Sequence, residues 1–305
     1  MARLLLTVVV VVALLAPAAE CADKKKVLFV GIDGCRYDAI QYSQSKHLKE
    51  LARDGAVSEQ CDVLGDRKTG ADTSTGPGWS SALTGVWADK HRVFDNTFKD
   101  HNLRDYPTFL SRLKGTRPNA KVAAFVTWAP FRDHIFGKDE GCEYVIDGDK
   151  FGYEAGDRNV SWAAARSLAD TDLDAAFVYF GNTDSAGHGY GFHPKSPKYT
   201  NAIEAVDAHL GRVLEAVRGR KTFAHEDWLV IVCTDHGGKG RGHGIGEKEP
   251  EIRTGFLILH GPSVVKGAIK EKTFNVDVAA TALAHLGVPV KNEWRLDGKA
   301  VGLKK

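Results

Sequence analysis

Residues 27–34 read Val-Leu-Phe-Val-Gly-Ile-Asp-Gly, an apolar run that closes on an aspartate and a glycine. An apolar stretch without alternation is the pattern of a strand covered on both faces. Lys121–Val126, Ala175–Phe180, Trp228–Cys233 and Gly255–Leu259 have the same character. Helical patterns lie between them. In Lys198–Val217, Ala202, Ala205, Val206, His209, Leu210, Val213, Leu214 and Val217 recur at helical spacing, and Ala-rich Val276–Leu286 stops at Gly287-Val288-Pro289. Strands alternating with helices predict an α/β fold, a doubly wound, mostly parallel sheet with helices on both faces. Ligands of such sheets bind beyond the carboxyl ends of the strands.

Those ends carry the chemistry. Val27–Ile32 runs into Asp33-Gly34, and Ala175–Phe180 runs into Gly181-Asn182-Thr183-Asp184-Ser185-Ala186-Gly187-His188. Trp228–Cys233 runs into Thr234-Asp235-His236-Gly237-Gly238, with Gly242-His243-Gly244 just behind. Each residue alone reads as a turn former, a cap or a solvated loop side chain. Together, carboxylates and imidazoles converging on one sheet edge suit a borderline cation such as zinc. A nucleophile candidate lies in Thr73-Ser74-Thr75-Gly76-Pro77-Gly78-Trp79-Ser80-Ser81, a loop entering a helix. A hydroxyl there is a natural N-cap, and it is also placed to attack an anion held by the helix N-terminus. The physics of the segment leaves Thr73, Ser74 and Thr75 equivalent.

The 305 residues hold 41 Lys+Arg against 39 Asp+Glu, so a net charge of +2 offers no basic surplus for binding a nucleic-acid duplex. No internal repeat or Gly/Ser linker divides the chain, and residues 22–305 are expected to form a single catalytic domain. Residues 1–21 have the layout of a signal peptide: Arg3, an apolar Leu4–Leu15, then Ala16, Ala18 and Ala19. A dozen apolar residues are too few to span a bilayer core of roughly 30 Å, so cleavage after Ala18 or Cys21 is expected to yield a secreted or periplasmic protein without a membrane span. Cys35, Cys61, Cys142 and Cys233 then remain, an even number open to three pairings and without a C-x-x-C pair.

Asp33-Gly34, the block Thr75…Thr84-Gly85…His91…Asn96, Asp184-x-x-x-His188 and Asp235-His236-Gly237 resemble the alkaline phosphatase superfamily, and within it the type I phosphodiesterase/nucleotide pyrophosphatase branch. The likeness runs from about Lys26 to Pro289. It implies a hydrolase of phosphodiester or pyrophosphate bonds with two zinc ions, acting on a small phosphorylated substrate. By this resemblance Thr75 is the nucleophile and forms a phosphothreonine, and Asn96 binds a phosphoryl oxygen. One zinc would be held by Asp33, Asp235, His236 and the Thr75 oxygen, the other by Asp184, His188 and a further histidine. Three features depart from the branch. Gly76-Pro77-Gly78 stands where Phe-Pro-Asn is usual, and Arg92 follows His91 where Gly is common. The last histidine lies far downstream in the branch, whereas here the Gly-His-Gly setting favours His243, with His260 at the end of Gly255–Leu259 as the alternative.

Other side chains carry blander expectations. Trp79, Trp87, Trp128, Trp162 and Trp228 are expected in the core or cleft wall. Tyr190, Phe192 and His193 are candidates for lining a substrate pocket, and Lys24–Lys26 reads as a solvated chain start. A phosphomonoesterase of the same fold would call for a cation, Lys90 or Arg92, near the phosphoryl group. A sulfatase would need a C/S-x-P-x-R motif that Thr73–Gly85 lacks, and a serine hydrolase a G-x-S-x-G elbow that is absent. A non-catalytic, metal-stabilised binding protein would have lost a ligand or the nucleophile, and none is missing.

Overall fold

The computed structural model describes residues 24–136 and 142–304, except the side chains of residues 142 and 143. The expected signal peptide lies outside the described residues. Nine strands are described: β1 (Lys24–Ile32), β2 (Ala56–Asp62), β3 (Val122–Val126), β4 (Cys142–Val145), β5 (Ala175–Phe180), β6 (Glu226–Cys233), β7 (Thr254–His260), β8 (Gly267–Ala268) and β9 (Thr273–Phe274). The first helices are α1 (Tyr37–Tyr42), α2 (Lys46–Asp54), α3 (Thr75–Thr84), α4 (Ala88–His91), α5 (Phe109–Thr116) and α6 (Gly148–Phe151). After them come α7 (Tyr153–Asp170), α8 (Asn182–Tyr190), α9 (Pro197–Arg218), α10 (Pro250–Arg253) and α11 (Asp277–His285).

The strands form one sheet in the order β4-β3-β5-β1-β6-β7-β2-β8, with β9 pairing on β2. β1 lies parallel between β5 and β6, so their carboxyl ends emerge on one edge. β7 runs antiparallel to both β6 and β2, which leaves β2 pointing the same way as β6. The mostly parallel, doubly wound sheet expected from the apolar runs is therefore present. Strand β1 shows why its run does not alternate. Val27 and Phe29 enter the core against α3, α5 and α11, whereas Leu28, Val30 and Ile32 enter the core against α1, α2, α7, α8 and α9. Both faces are dry, so both need apolar side chains.

The structure corrects three expectations. β1 begins at Lys24, and Lys26 is wholly buried. Its ammonium donates to Asp172 at 2.6 Å and to the Leu173 carbonyl at 2.5 Å, 3.8 Å from Glu226, which in turn pairs with Arg220 at 2.9 Å. The basic run is thus part of an ion network at the amino edge of the sheet. Trp162 is 59% exposed on α7 under the Arg212 guanidinium, while Trp79, Trp87, Trp128 and Trp228 are buried as expected. His260 closes antiparallel β7 beside Val230, midway along β6, and the chain then runs on toward Trp228, so His260 lies away from the carboxyl ends. Cys35, Cys61 and Cys233 are buried and free. Among the described residues no helix is long and apolar enough to cross a membrane.

Candidate metal centre and nucleophile

Four elements deliver side chains to the carboxyl edge. Asp33 follows β1, Asp235 and His236 follow β6, and α8, which follows β5, carries Asp184 and His188 one turn apart on one face. The loop after β6 returns His243. Ligand atoms of Asp33, Asp235 and His236 lie within 4.8 Å of one another, as do those of Asp184, His236 and His243. His188 joins the second group, its Nε2 3.4 Å from Asp184 Oδ2 and 2.9 Å from His243 Nε2. The rings of His236 and His243 stack at 3.8 Å between centroids.

Close approach of these elements depends on two glycines. A Cβ on Gly34, at φ +59°, would lie 2.6 Å from Asp184 Oδ1. A Cβ on Gly78 would lie 2.7 Å from the Asp235 Cβ, so α3 can press on Asp235 only without a side chain there.

The imidazoles are held in one orientation. Nδ1 donates to a backbone carbonyl in each: His236 to Gly237 at 2.8 Å, His188 to Arg241 at 2.9 Å and His243 to Thr73 at 2.6 Å. A carbonyl can only accept, so Nδ1 carries a proton and Nε2 is the atom turned toward the carboxylates. Asp33 is held similarly, Oδ2 accepting from Trp79 Nε1 at 3.0 Å and the Tyr179 hydroxyl at 2.7 Å. Asp235 Oδ1 accepts from the Gly34 N–H at 3.2 Å. What remains is a set of buried atoms with no hydrogen-bond partner: Asp33 Oδ1, Asp184 Oδ1, Asp235 Oδ2 and His236 Nε2. Buried polar groups are rarely left so, and oxygens and imidazole nitrogens facing one another are the donor set of a divalent cation.

The electrostatics agree. Burial, with the Asp184 charge, pushes Asp33 up to about 6, and burial with the Asp33 and Asp184 charges pushes Asp235 well above the usual carboxylate range. Burial would raise Asp184 too, but its hydrogen bond to His188 and the neighbouring imidazoles hold it below the ordinary value. The same hydrogen bond, offset by burial, lifts His188 to about 9. Burial beside His236 lowers His243 to about 4. Three carboxylates gathered in a dry site need positive charge, which a cation supplies.

Of the three hydroxyls left open by the sequence, one is otherwise engaged. Thr73 Oγ1 donates to the His243 carbonyl and accepts from the Gly246 N–H at 2.9 Å. Ser74 is the N-cap residue of α3, yet its hydroxyl makes no capping bond and is buried without a partner. Thr75 is the first helical residue, on the face of α3 shared by Gly78 and Trp79, which touch Asp235 and Asp33. The expected cradle of helix N–H groups is thin. Gly76 N–H donates to Asn96 Oδ1 at 2.6 Å, Gly78 N–H to the Ser74 carbonyl at 3.0 Å, and Pro77 has none. The bond to Gly76 fixes the Asn96 amide and commits its oxygen, leaving its NH2 group to donate elsewhere.

His91 and Arg92 have structural explanations. His91 is buried, accepts from the Val93 N–H at Nδ1 and lies 3.0 Å from the Ser81 hydroxyl, bracing α4 on α3. Arg92 closes α4 at φ +59°, a left-handed position that glycine fills at lower cost. Lys90 is bound to Asp297 at 2.6 Å and to the Arg295 carbonyl. Phe192 is buried against His188, His243 and Tyr199, whereas Tyr190 is exposed, so Tyr190–His193 do not form one pocket wall.

A family model described as type I phosphodiesterase / nucleotide pyrophosphatase matches residues 27–241. The chain belongs to this family. The match to the type I phosphodiesterases stops just short of His243, the proposed ligand whose place in the chain departs from the branch pattern. Bis(5'-adenosyl)-triphosphatase ENPP4 of Bos taurus is 24% identical over 237 residues, covering 72% of this chain and 49% of the relative. The human ectonucleotide pyrophosphatase/phosphodiesterase family member 7 is 23% identical over 242 residues, 73% of this chain and 50% of the relative. The chain thus spans about half the length of these curated relatives. Murine ectonucleotide pyrophosphatase/phosphodiesterase 5 shares the fold with a TM-score of 0.66 at 17% identity, covering 87% of this chain and 96% of that one. A 2-O GAG sulfatase also shares it, with a TM-score of 0.69 at 14% identity over 91% of this chain and 73% of that one.

Sequence reading missed the supports of the site: Trp79 and Tyr179 on Asp33, Thr73 on the His243 loop, and Asp157 at the start of α8. Only Asp157 left a signal, as a charge in register with Val160, Ala164 and Leu168 on the buried stripe of α7.

Proposed function

We propose that the chain is an exported, two-zinc hydrolase of phosphodiester or pyrophosphate bonds that acts through a phosphothreonine on Thr75. The observation that carries the reading is the set of unpartnered buried oxygens and imidazole nitrogen on Asp33, Asp184, Asp235 and His236, gathered beside the first turn of α3. Asp33, Asp235, His236 and the Thr75 oxygen would hold one zinc, and Asp184, His188 and His243 the other. When bound, the zinc ions supply charge to the phosphoryl oxygens and lower the pKa of a coordinated hydroxyl.

The residues themselves do the rest. Thr75 Oγ1 gives up its proton to solvent and attacks phosphorus in line, forming a Thr75–O–P bond as the leaving-group oxygen departs with its electron pair. Water then attacks phosphorus and gives up a proton, and the Thr75 oxygen leaves with the pair of the bond it had formed and takes up a proton. Asn96, anchored by Gly76, donates from its NH2 group to a non-bridging oxygen. The engagement of Lys90 by Asp297 commits one of the two cations, Lys90 and Arg92, that a monoesterase would call for. The small phosphorylated substrate follows from the relatives: bis(5'-adenosyl)-triphosphatase ENPP4 acts on a dinucleotide by its name, and an inactive variant of murine phosphodiesterase 5 was solved in complex with AMP. Export rests on the apolar segment within residues 1–21.

The test compares kcat/KM for bis-p-nitrophenyl phosphate and p-nitrophenyl phosphate on zinc-loaded protein, with a chelator control. Diester preference abolished by chelation supports the reading. Monoester preference would make it a phosphatase, and zinc retained without turnover of either would make it a binding protein.

A further inference from the structure

We propose that Asp157 is a positioning residue for the metal ligands Asp184 and His188, acting as a cap supplied to α8 by another helix. The proposal rests on the reading of the carboxyl edge as a metal centre.

Helix α8 begins at Gly181-Asn182, and its N-cap residue, Gly181, has no side chain with which to satisfy the first N–H groups. Glycine is required there, since a Cβ would lie 2.5 Å from the Tyr153 ring. The cap comes from α7. Asp157 Oδ1 accepts from the Gly181 N–H at 3.0 Å and Oδ2 from the Asn182 N–H at 2.9 Å. Oδ1 also accepts from the Thr127 hydroxyl at 3.0 Å, just past the carboxyl end of β3. Asp157 is wholly buried, and all three of these donors are neutral. Burying a carboxylate among neutral donors is costly, and with glycine required at position 181 the N-cap residue itself has no side chain to cap the helix. What the remote carboxylate adds is geometry. It ties the start of α8 to α7 and to β3 at once, with its charge on the positive end of the helix. Asp184 lies two residues beyond the tie and His188 one turn further, so the tie sets where both point.

The experiment titrates the metal-stripped full-length protein with Zn2+ against a chromophoric chelator, for wild type and Asp157→Asn. The asparagine keeps the shape but turns an NH2 group onto one of the donors from which Asp157 accepts. One zinc equivalent should weaken on the order of 10- to 100-fold, as for other supports of metal ligands, while the other stays close to wild type. Turnover of the variant should fall at limiting zinc and recover in excess zinc, a rescue that a merely structural role would not show. Unchanged affinities in folded Asp157→Asn, or equal weakening of both equivalents without rescue, would overturn the proposal. If Asp157→Asn does not fold, Thr127→Val, which removes a single donor, carries the test. It should weaken the same equivalent a few-fold, and wild-type affinity would overturn the assignment. Wild type that binds zinc but turns nothing over would sink the hydrolase reading alone, and wild type that binds no zinc would sink both.

Discussion

At the scale of single residues, the site separates chemistry from support. Thr75 contributes a hydroxyl that the described fold does not use in a side-chain hydrogen bond, whereas neighbouring Thr73 clamps the His243 loop. Thr75→Ala should therefore lower kcat by at least about a thousandfold, the order of loss when a nucleophile is removed. Its thermal midpoint should stay near wild type and most zinc should still bind. A variant retaining more than a tenth of wild-type turnover would remove Thr75 from the mechanism. Gly78→Ala tests support instead. Alanine is the better helix former, yet its Cβ would lie 2.7 Å from the Asp235 Cβ and 2.9 Å from the Asp235 carbonyl oxygen. We expect a folded protein with kcat/KM down roughly a hundredfold, because displacing a ligand by about an ångström is enough for that. Circular dichroism and steady-state rates report the two effects separately.

At the scale of elements, the loop behind β6 shows what holding His243 costs. Asp72 accepts from the Ile245 N–H at 2.8 Å and Thr73 from Gly246, which leaves Ile245 at φ +55° with its side chain 87% exposed. A β-branched residue pays about 1–2 kcal/mol in that conformation and recovers nothing by burial. Ile245→Asn should raise the melting temperature by a few degrees, since asparagine tolerates the left-handed region. A fall in melting temperature would show that the isoleucine has a packing role. The end of α4 has the same physics at Arg92, which explains why a glycine there is usual in the family pattern.

At the scale of the whole molecule, the edges of the sheet carry opposite problems. The amino edge pairs Lys24, Lys26 and Arg220 with Asp172 and Glu226, while at the carboxyl edge Asp33, Asp184 and Asp235 pair with no lysine or arginine among the described residues and only His188 offsets their charge. Zinc at a hundredfold excess over its dissociation constant should add about 2.7 kcal/mol, raising the melting temperature by roughly 5 °C or more, and a chelator should reverse this. An unmoved melting temperature would count against a metal centre. The pH dependence draws on His91, which burial lowers to about 3 from an ordinary 6.5. The unfolded chain then binds a proton that the folded chain refuses, so the His91 contribution is complete above about 6.5 and is lost as the pH falls toward about 3. Melting temperatures followed through that window should drop more steeply for wild type than for His91→Gln.

The strands flanking the site and the long helix α9 were legible in the sequence because a strand with two dry faces must be apolar throughout and a half-buried helix must be striped. Asp33, Asp184, His188, Asp235, His236 and His243 were legible as candidates because each follows such a strand or its loop. β2, α7 and the support from Asp157 were not, since β2 mixes Ser, Glu and Gln with apolar residues and a buried carboxylate has no local signature. Only the tertiary structure shows that His243 lies among the other candidate ligands and His260 away from them. The Gly-His-Gly loop favoured His243 in the sequence, and His260 lies away from the site because β7 runs antiparallel, a direction set by pairing across the sheet. The tertiary structure also decided that Lys26 is buried, because only the fold brings Asp172 and Glu226 to it. Apolar periodicity is a local property of the chain and survives in the sequence. The direction of a strand, the partner of a buried charge and the aim of a ligand depend on residues far apart along it, and come into being only when the sheet is assembled.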